Sequence, residues 1–240
     1  MKKILLLVSG MSPQIITETL YVLITQSPQW VPDEVHLVTT LQGRSNALDQ
    51  LLNPKTQVFA SLLRDYGIDG AVLFNADTIH VIALHDAPLD DLRTPHENQA
   101  AADAISEKIR QFCLDDDIEL HVSLAGGRKT MGFYAGYALS LFGRRRDKLS
   151  HVLVSDHYES SDFYYPAPKP DVDWIKGRNG KSLDTHKAVV WLAEIPFVRM
   201  QFQLPAGLLT GQQSFSETIR LARMLDDNYP VRSTTTKMAG

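Results

Sequence analysis

Apolar runs of strand length alternate along this chain with stretches of helical periodicity, the pattern of a mostly parallel sheet covered by helices. Ile4–Val8 predicts a first strand. Ile15, Ile16, Leu20 and Leu23 then give the buried face of a first helix, with Ser12 as its N-cap and Pro13 at its first position. Val35–Thr39 predicts a second strand, residues 41–66 a helix broken near Asn53-Pro54, and Ile79–Leu84 a third strand. A long helix over His96–Leu114 follows, with Ala100, Ala101, Ala104, Ile105 and Ile109 facing inward. Glu119–Leu124 predicts a fourth strand. After a glycine pair comes a helix over Lys129–Phe142, whose Gly132, Ala135, Gly136 and Ala138 permit close packing. His151–Ser155 and Ala188–Ala193 predict a fifth and a sixth strand. The expected fold class is therefore α/β: a six-stranded, mostly parallel sheet with helices on both faces over residues 1–194. Residues 195–240 form a small C-terminal extension packing on it, with a helix from Ser214, its cap, to Leu225 and a frayed end after Tyr229. The stretch Asp156–Asp184, rich in Tyr, Pro, Asp, Lys and Gly, is long for a loop and reads as a functional lid or a disordered segment.

Composition narrows this picture in a few places. At 240 residues, with 44% hydrophobic and 22% charged residues, the chain can bury a sizeable core. A net charge of −4 argues against direct binding of duplex DNA through a broadly basic surface, but leaves room for a local basic pocket. The single cysteine, Cys113, excludes an intrachain disulfide framework and a Cys-rich zinc site, suits a cytoplasmic location, and falls among core positions of a helix. The apolar run behind Met1-Lys2-Lys3 is too short for a signal peptide, and no stretch approaches a membrane span. No histidine pair has H-E-x-x-H spacing, so no metal site is expected, and no cofactor is expected either. Arg144-Arg145-Arg146 reads as a solvated helix end. The R-x-x-x-x-H spacing of Arg146 and His151 straddles a loop and a strand and reads as chance.

In an open α/β sheet, ligands bind beyond the carboxyl ends of the strands. Two turns there carry candidate chemistry. One is Ser9-Gly10-Met11-Ser12-Pro13-Gln14, after the first strand; the other is Gly126-Gly127-Arg128-Lys129-Thr130, after the fourth. Each presents backbone N–H groups at a helix N-terminus, where an anion is favoured. Gly126 and Gly127 allow positive φ and close approach to a ligand. Arg128 and Lys129 place cations against the helix dipole, which suggests an anionic partner; a solvated turn with two surface cations is the plainer alternative. The P-loop spacing is absent, because Arg128 separates Gly127 from Lys129, and there is no G-x-G-x-x-G fingerprint. Ser9 and Ser12 can each offer a hydroxyl to phosphate or ribose, yet no His or Asp nearby in sequence marks either as a nucleophile.

These two turns, together with Thr17-Glu18-Thr19-Leu20 and Ser123-Leu124-Ala125 beside them, resemble the CRISPR-associated Rossmann-fold (CARF) family. Asp90-Asp91-Leu92-Arg93-Thr94 with Asn98, and Ile195-Pro196-Phe197, add to the resemblance, which extends to roughly residue 225. The resemblance implies a Rossmann-like fold and a two-fold homodimer that binds a cyclic oligoadenylate, with the four-membered ring as the first expectation. A cyclic homo-oligonucleotide of even length shares that two-fold symmetry. The chain is short for a fused effector, so the resemblance further implies a stand-alone ring nuclease acting without metal, with a non-catalytic sensor as the alternative. Lys129, seconded by Arg128, is then the charge stabiliser, and Ser12, or failing that Ser9, positions the ribose or phosphate. Gly10, Met11, Gln14, Asn98, Gly126, Gly127 and Thr130 are the remaining expected ligand contacts. Tyr158, Tyr164, Tyr165 and Trp174 either stack over adenines or pack within their own loop.

Overall fold

Strand β1 (Lys2–Val8) lies inside the sheet, and its alternation divides the core into two layers. Ile4, Leu6 and Val8 enter one apolar layer, Leu5 and Leu7 the other. With both faces covered, the strand reads in sequence as an unbroken hydrophobic run. The computed structural model describes residues 1–68, 72–124, 126–159, 161–168, 173–177, 180–200 and 206–228.

After β1 come α1 (Gln14–Thr25), β2 (Glu34–Thr39), α2 (Leu41–Gln50), α3 (Val58–Asp65) and β3 (Ile79–Val81). A hairpin of β4 (Ala83–Leu84) and β5 (Ala87–Pro88) leads to α4 (Pro95–Leu114), β6 (Ile118–Ser123), α5 (Lys129–Phe142) and β7 (Lys148–Val154). A second hairpin, β8 (Trp174–Lys176) with β9 (Ser182–Asp184), precedes β10 (Val190–Glu194), α6 (Ala206–Thr210) and α7 (Phe215–Asn228). The six-stranded sheet runs β10-β7-β6-β1-β2-β3. Its strands are parallel except β10, which pairs antiparallel with β7. Leaving out the hairpin strands, this is the 3-2-1-4-5-6 order of a Rossmann-like sheet.

Helices α1, α2 and α3 cover the Leu5/Leu7 face through Ile16, Leu20, Ala47, Phe59 and Leu62. Helices α4 and α5 cover the opposite face through Ala101, Ile105, Ile109, Met131, Ala135 and Leu139. Leu208 of α6 and Phe215 of α7 are buried in that second layer, with Ile195, Phe197 and Met200 packed against it, so the described part of residues 195–228 shares the core of the sheet domain. Ser214 caps α7 as anticipated, accepting a hydrogen bond from the Glu217 amide at 3.1 Å. The predicted fraying after Tyr229 lies outside the described residues.

Four expectations are corrected. The third strand stops at Val81, because His85 and Asp86, at φ 49° and 63°, turn Ala83–Leu84 back into the β4–β5 hairpin. Ser12 does not cap α1: Pro13 occupies the cap position and no side chain bonds the open amides. Arg144 and Arg146 are no solvated run. Arg144 binds buried Asp147 and the carbonyls of Asp115 and Ile118, while Arg146 reaches the Ile118 carbonyl and Asp116, so both fasten the loop that starts β6. The long segment after β7 is also partly structured. Phe163 is buried, the Tyr164 hydroxyl lies 3.3 Å from Gln50 Oε1, and Tyr165 donates to Asp65 at 3.0 Å. Trp174, 65% exposed, is the aromatic left outward.

Candidate functional site at the strand switch point

The chain leaves β1 towards one edge of the sheet and β6 towards the other, so the two turns that follow face each other. They touch through their backbones. A Cβ on Gly10 would stand 2.9 Å from Gly127 Cα, and one on Gly127 only 2.8 Å from the Gly10 nitrogen. Gly126 and Gly127 have φ of 86° and 82°, a region that side chains disfavour. Helix α2 presses on the same spot: a Cβ on Gly43 would meet the Gly10 carbonyl oxygen, which accepts a hydrogen bond from Thr39 Oγ1 at 3.0 Å. The Met11 carbonyl accepts from Asn46 Nδ2 at 2.8 Å, and the Met11 side chain stands 63% exposed. The first turn is therefore held by its carbonyls.

Each anticipated residue now has a place. Ser9 is 1% exposed and its hydroxyl points to the Ser12 carbonyl at 3.3 Å, which suits a brace beneath the turn. Ser12 is exposed and Gln14 half-buried, and both line a cleft of about 550 Å³ with Gly126. Arg128 is neutralised: Asp91 receives its Nη2 at 2.6 Å and its Nε at 3.3 Å. The Arg128 guanidinium holds the Asp91 carboxyl below the usual carboxylate range, helped by the Leu92 amide. Thr130 Oγ1 donates to Asn98 Oδ1 at 2.7 Å, joining the first turn of α5 to α4. Lys129, the first residue of α5, is exposed, and its ammonium has no hydrogen bond or ion pair among the described residues. Of the two cations, Lys129 is thus the one left for a ligand.

Two groups to which the sequence assigns no role in the site also line the cleft. His151 on β7 lines it, with Nδ1 2.7 Å from the Leu124 carbonyl. Glu18, one turn beyond Gln14 on α1, also lines it and is 9% exposed. Burial, and secondarily the Glu159 carboxylate, push the Glu18 carboxyl up to about 7. Its sequence signal is a carboxylate set among Ile15, Ile16 and Leu20, within an otherwise apolar helix face.

A carboxyl raised on folding binds its proton more tightly in the folded than in the unfolded chain, so it favours folding at low pH. That contribution is lost as pH rises from about 4.5 to about 7. Glu18→Gln is accordingly expected to stabilise the protein at pH 8 by up to about 3 kcal/mol and to gain nothing at pH 4. Denaturant unfolding of both proteins at the two pH values checks this; an equal effect at both would refute it.

Two other clefts, of about 890 and 630 Å³, lie along α4 and α7, and neither is lined by a residue of the two turns. Among the described residues no group of three or more His, Cys, Asp or Glu side chains is placed to hold a metal ion, and no helix is long and apolar enough to cross a membrane.

Fold and site together define a Rossmann-like α/β protein with paired glycine turns and, among the described residues, an uncompensated lysine at its switch point. The chain belongs to the family described as CRISPR-associated protein NE0113, whose sequence model matches residues 12–227. Among curated proteins none matches it. Among solved structures, a candidate UDP-N-acetylglucosamine 2-epimerase from Listeria monocytogenes is similar at 18% identity over 63% of this chain, with a TM-score of 0.31. The chain spans 31% of that protein's length.

Proposed function

We propose that this CRISPR-associated protein binds a cyclic oligoadenylate, with the four-membered ring as first choice, across a two-fold dimer and opens it without metal. The observation that carries the reading is the backbone contact of the Gly10 and Gly127 turns, beside a Lys129 that no acidic group neutralises among the described residues. The resemblance of those turns to CARF domains and the family membership agree with it.

The nucleophile for ring opening comes from the ligand. A ribose 2′-hydroxyl attacks its own 3′ phosphate, the bond to the next 5′-oxygen breaks, and a 2′,3′-cyclic phosphate end results. The protein holds the attack in line and stabilises charge on the phosphoryl oxygens. Lys129 supplies that charge, and the amides of Gly126 and Gly127 add donors at the α5 N-terminus. Ser12 and Gln14 orient the ribose, and Asn98 with Thr130 holds the start of α5 in place.

Incubation with cyclic tetra-adenylate in excess chelator tests the reading. Linear products ending in 2′,3′-cyclic phosphate are expected. A ring that binds tightly and stays intact would make the protein a sensor that signals through a partner.

A further inference from the structure

Thr17, Glu18 and Thr19 form a buried polar triplet on α1. The threonines are satisfied, Thr17 donating to the Gln14 carbonyl at 2.8 Å and Thr19 lying 3.2 Å from Ser123 Oγ. The Glu18 carboxyl has no hydrogen-bond partner among the described residues, although the residue is 9% exposed. Buried polar groups are ordinarily paired, and among the described residues the fully enclosed side-chain atom without a partner is Ser106 Oγ, so the Glu18 carboxyl keeps contact with the cleft instead of protein. This one lines the same cleft as Gly126 and as Ser12 and Gln14, the two residues assigned to the ribose.

We infer that Glu18 is the proton acceptor for ring opening, an assignment that rests on the ring-cleavage reading. Its carboxylate takes the proton from the ribose 2′-hydroxyl as the O2′–P bond forms. The P–O5′ bond breaks, the departing 5′-oxygen takes a proton from water, and the Glu18 proton returns to solvent. No proton is gained or lost overall, and no oxidant or metal is needed. Burial near Glu159 brings the carboxyl close to neutrality in its affinity for protons, where an acceptor works best at physiological pH. The titratable groups across the cleft from it are His151 on β7 and Tyr158, Glu159 and Asp162 in the segment that follows.

The test is single-turnover cleavage of cyclic tetra-adenylate by native, Glu18→Gln and Glu18→Asp proteins across pH 5–9. Glu18→Gln keeps the side-chain shape, so its ring affinity is expected to stay near native and reports an intact fold. Its rate is expected to fall about 10²–10⁴-fold. The native rate should rise tenfold per unit below about pH 7 and level above it. That limb should vanish in Glu18→Gln and persist, at a lower plateau, in Glu18→Asp. A Glu18→Gln protein that cleaves at the native rate, or keeps the acid limb, overturns the assignment while sparing the ring-cleavage reading. Native protein that opens no ring overturns both.

Discussion

Replacing Lys129 with alanine is expected to slow ring opening by about 10²–10³-fold, the usual cost of removing one preorganised charge from a developing phosphoryl anion. Lys129 stands first in α5, where its ammonium opposes the helix dipole and, among the described residues, gains nothing from a carboxylate. Such a placement weakens the isolated protein and becomes favourable once a phosphate lies between the helix end and the ammonium. Arg128 illustrates the contrast. Its guanidinium already binds Asp91, so Arg128→Ala should disturb the loop around Asp91 and slow cleavage far less than Lys129→Ala. Single-turnover rates of the two variants rank the residues. Equal losses, or native turnover by Lys129→Ala, would remove Lys129 from its role.

Gly127→Ala is expected to abolish ring binding while leaving the fold intact. The new Cβ would meet the Gly10 nitrogen at 2.8 Å and the Ser9 carbonyl carbon at 3.3 Å, both backbone atoms that cannot swing aside. A φ of 82° adds strain of about 1–2 kcal/mol for an L side chain. The turns must separate, and with them the amides and Lys129. Gly10→Ala pushes on the same contact from the other side, with its Cβ 2.9 Å from Gly127 Cα, and should behave alike. Gly67→Ala is the control: its φ is 66°, but nothing lies within 4 Å of the added Cβ, so it should cost stability and spare binding. Ring affinity and thermal melting of the three variants decide the matter. Normal binding by Gly127→Ala would mean that the touching turns are not the pocket.

Periodicity read the layered parts of the fold well, because helices and strands buried against a sheet have little freedom in pattern. Helix α5 begins and ends where the apolar spacing and the glycine pair place it, and α4 starts one residue early, at Pro95, behind a capping box between Thr94 and Glu97. What escaped depends on pairing. The antiparallel direction of β10 is a property of the return path after β7, which an apolar run does not encode. The β4–β5 turn uses His85 and Asp86 at positive φ where asparagine and glycine are the familiar signal.

The candidate site divides the same way. The two glycine turns were legible because positive φ and close approach restrict residue choice. The tie between Arg128 and Asp91 joins residues far apart in sequence, so the arginine looked as available as Lys129 until the fold brought its partner in. Ser9 looked like a ligand contact for want of knowing that its hydroxyl lies under the turn. Glu18 was hidden for the opposite reason: on a helix wheel it belongs to the buried face, and only the cleft beside it shows why a carboxylate stands there.

The central claim, one cyclic ring held by the paired turns of two copies, is tested most directly by calorimetric titration of the 2′-deoxy form of cyclic tetra-adenylate, which lacks the attacking hydroxyl, into the native protein, alongside its mass in solution. The account predicts a dimer that saturates at one ring per two chains, with binding lost in Gly127→Ala. Saturation at one ring per chain by a monomer, or no binding by any ring size, would contradict it.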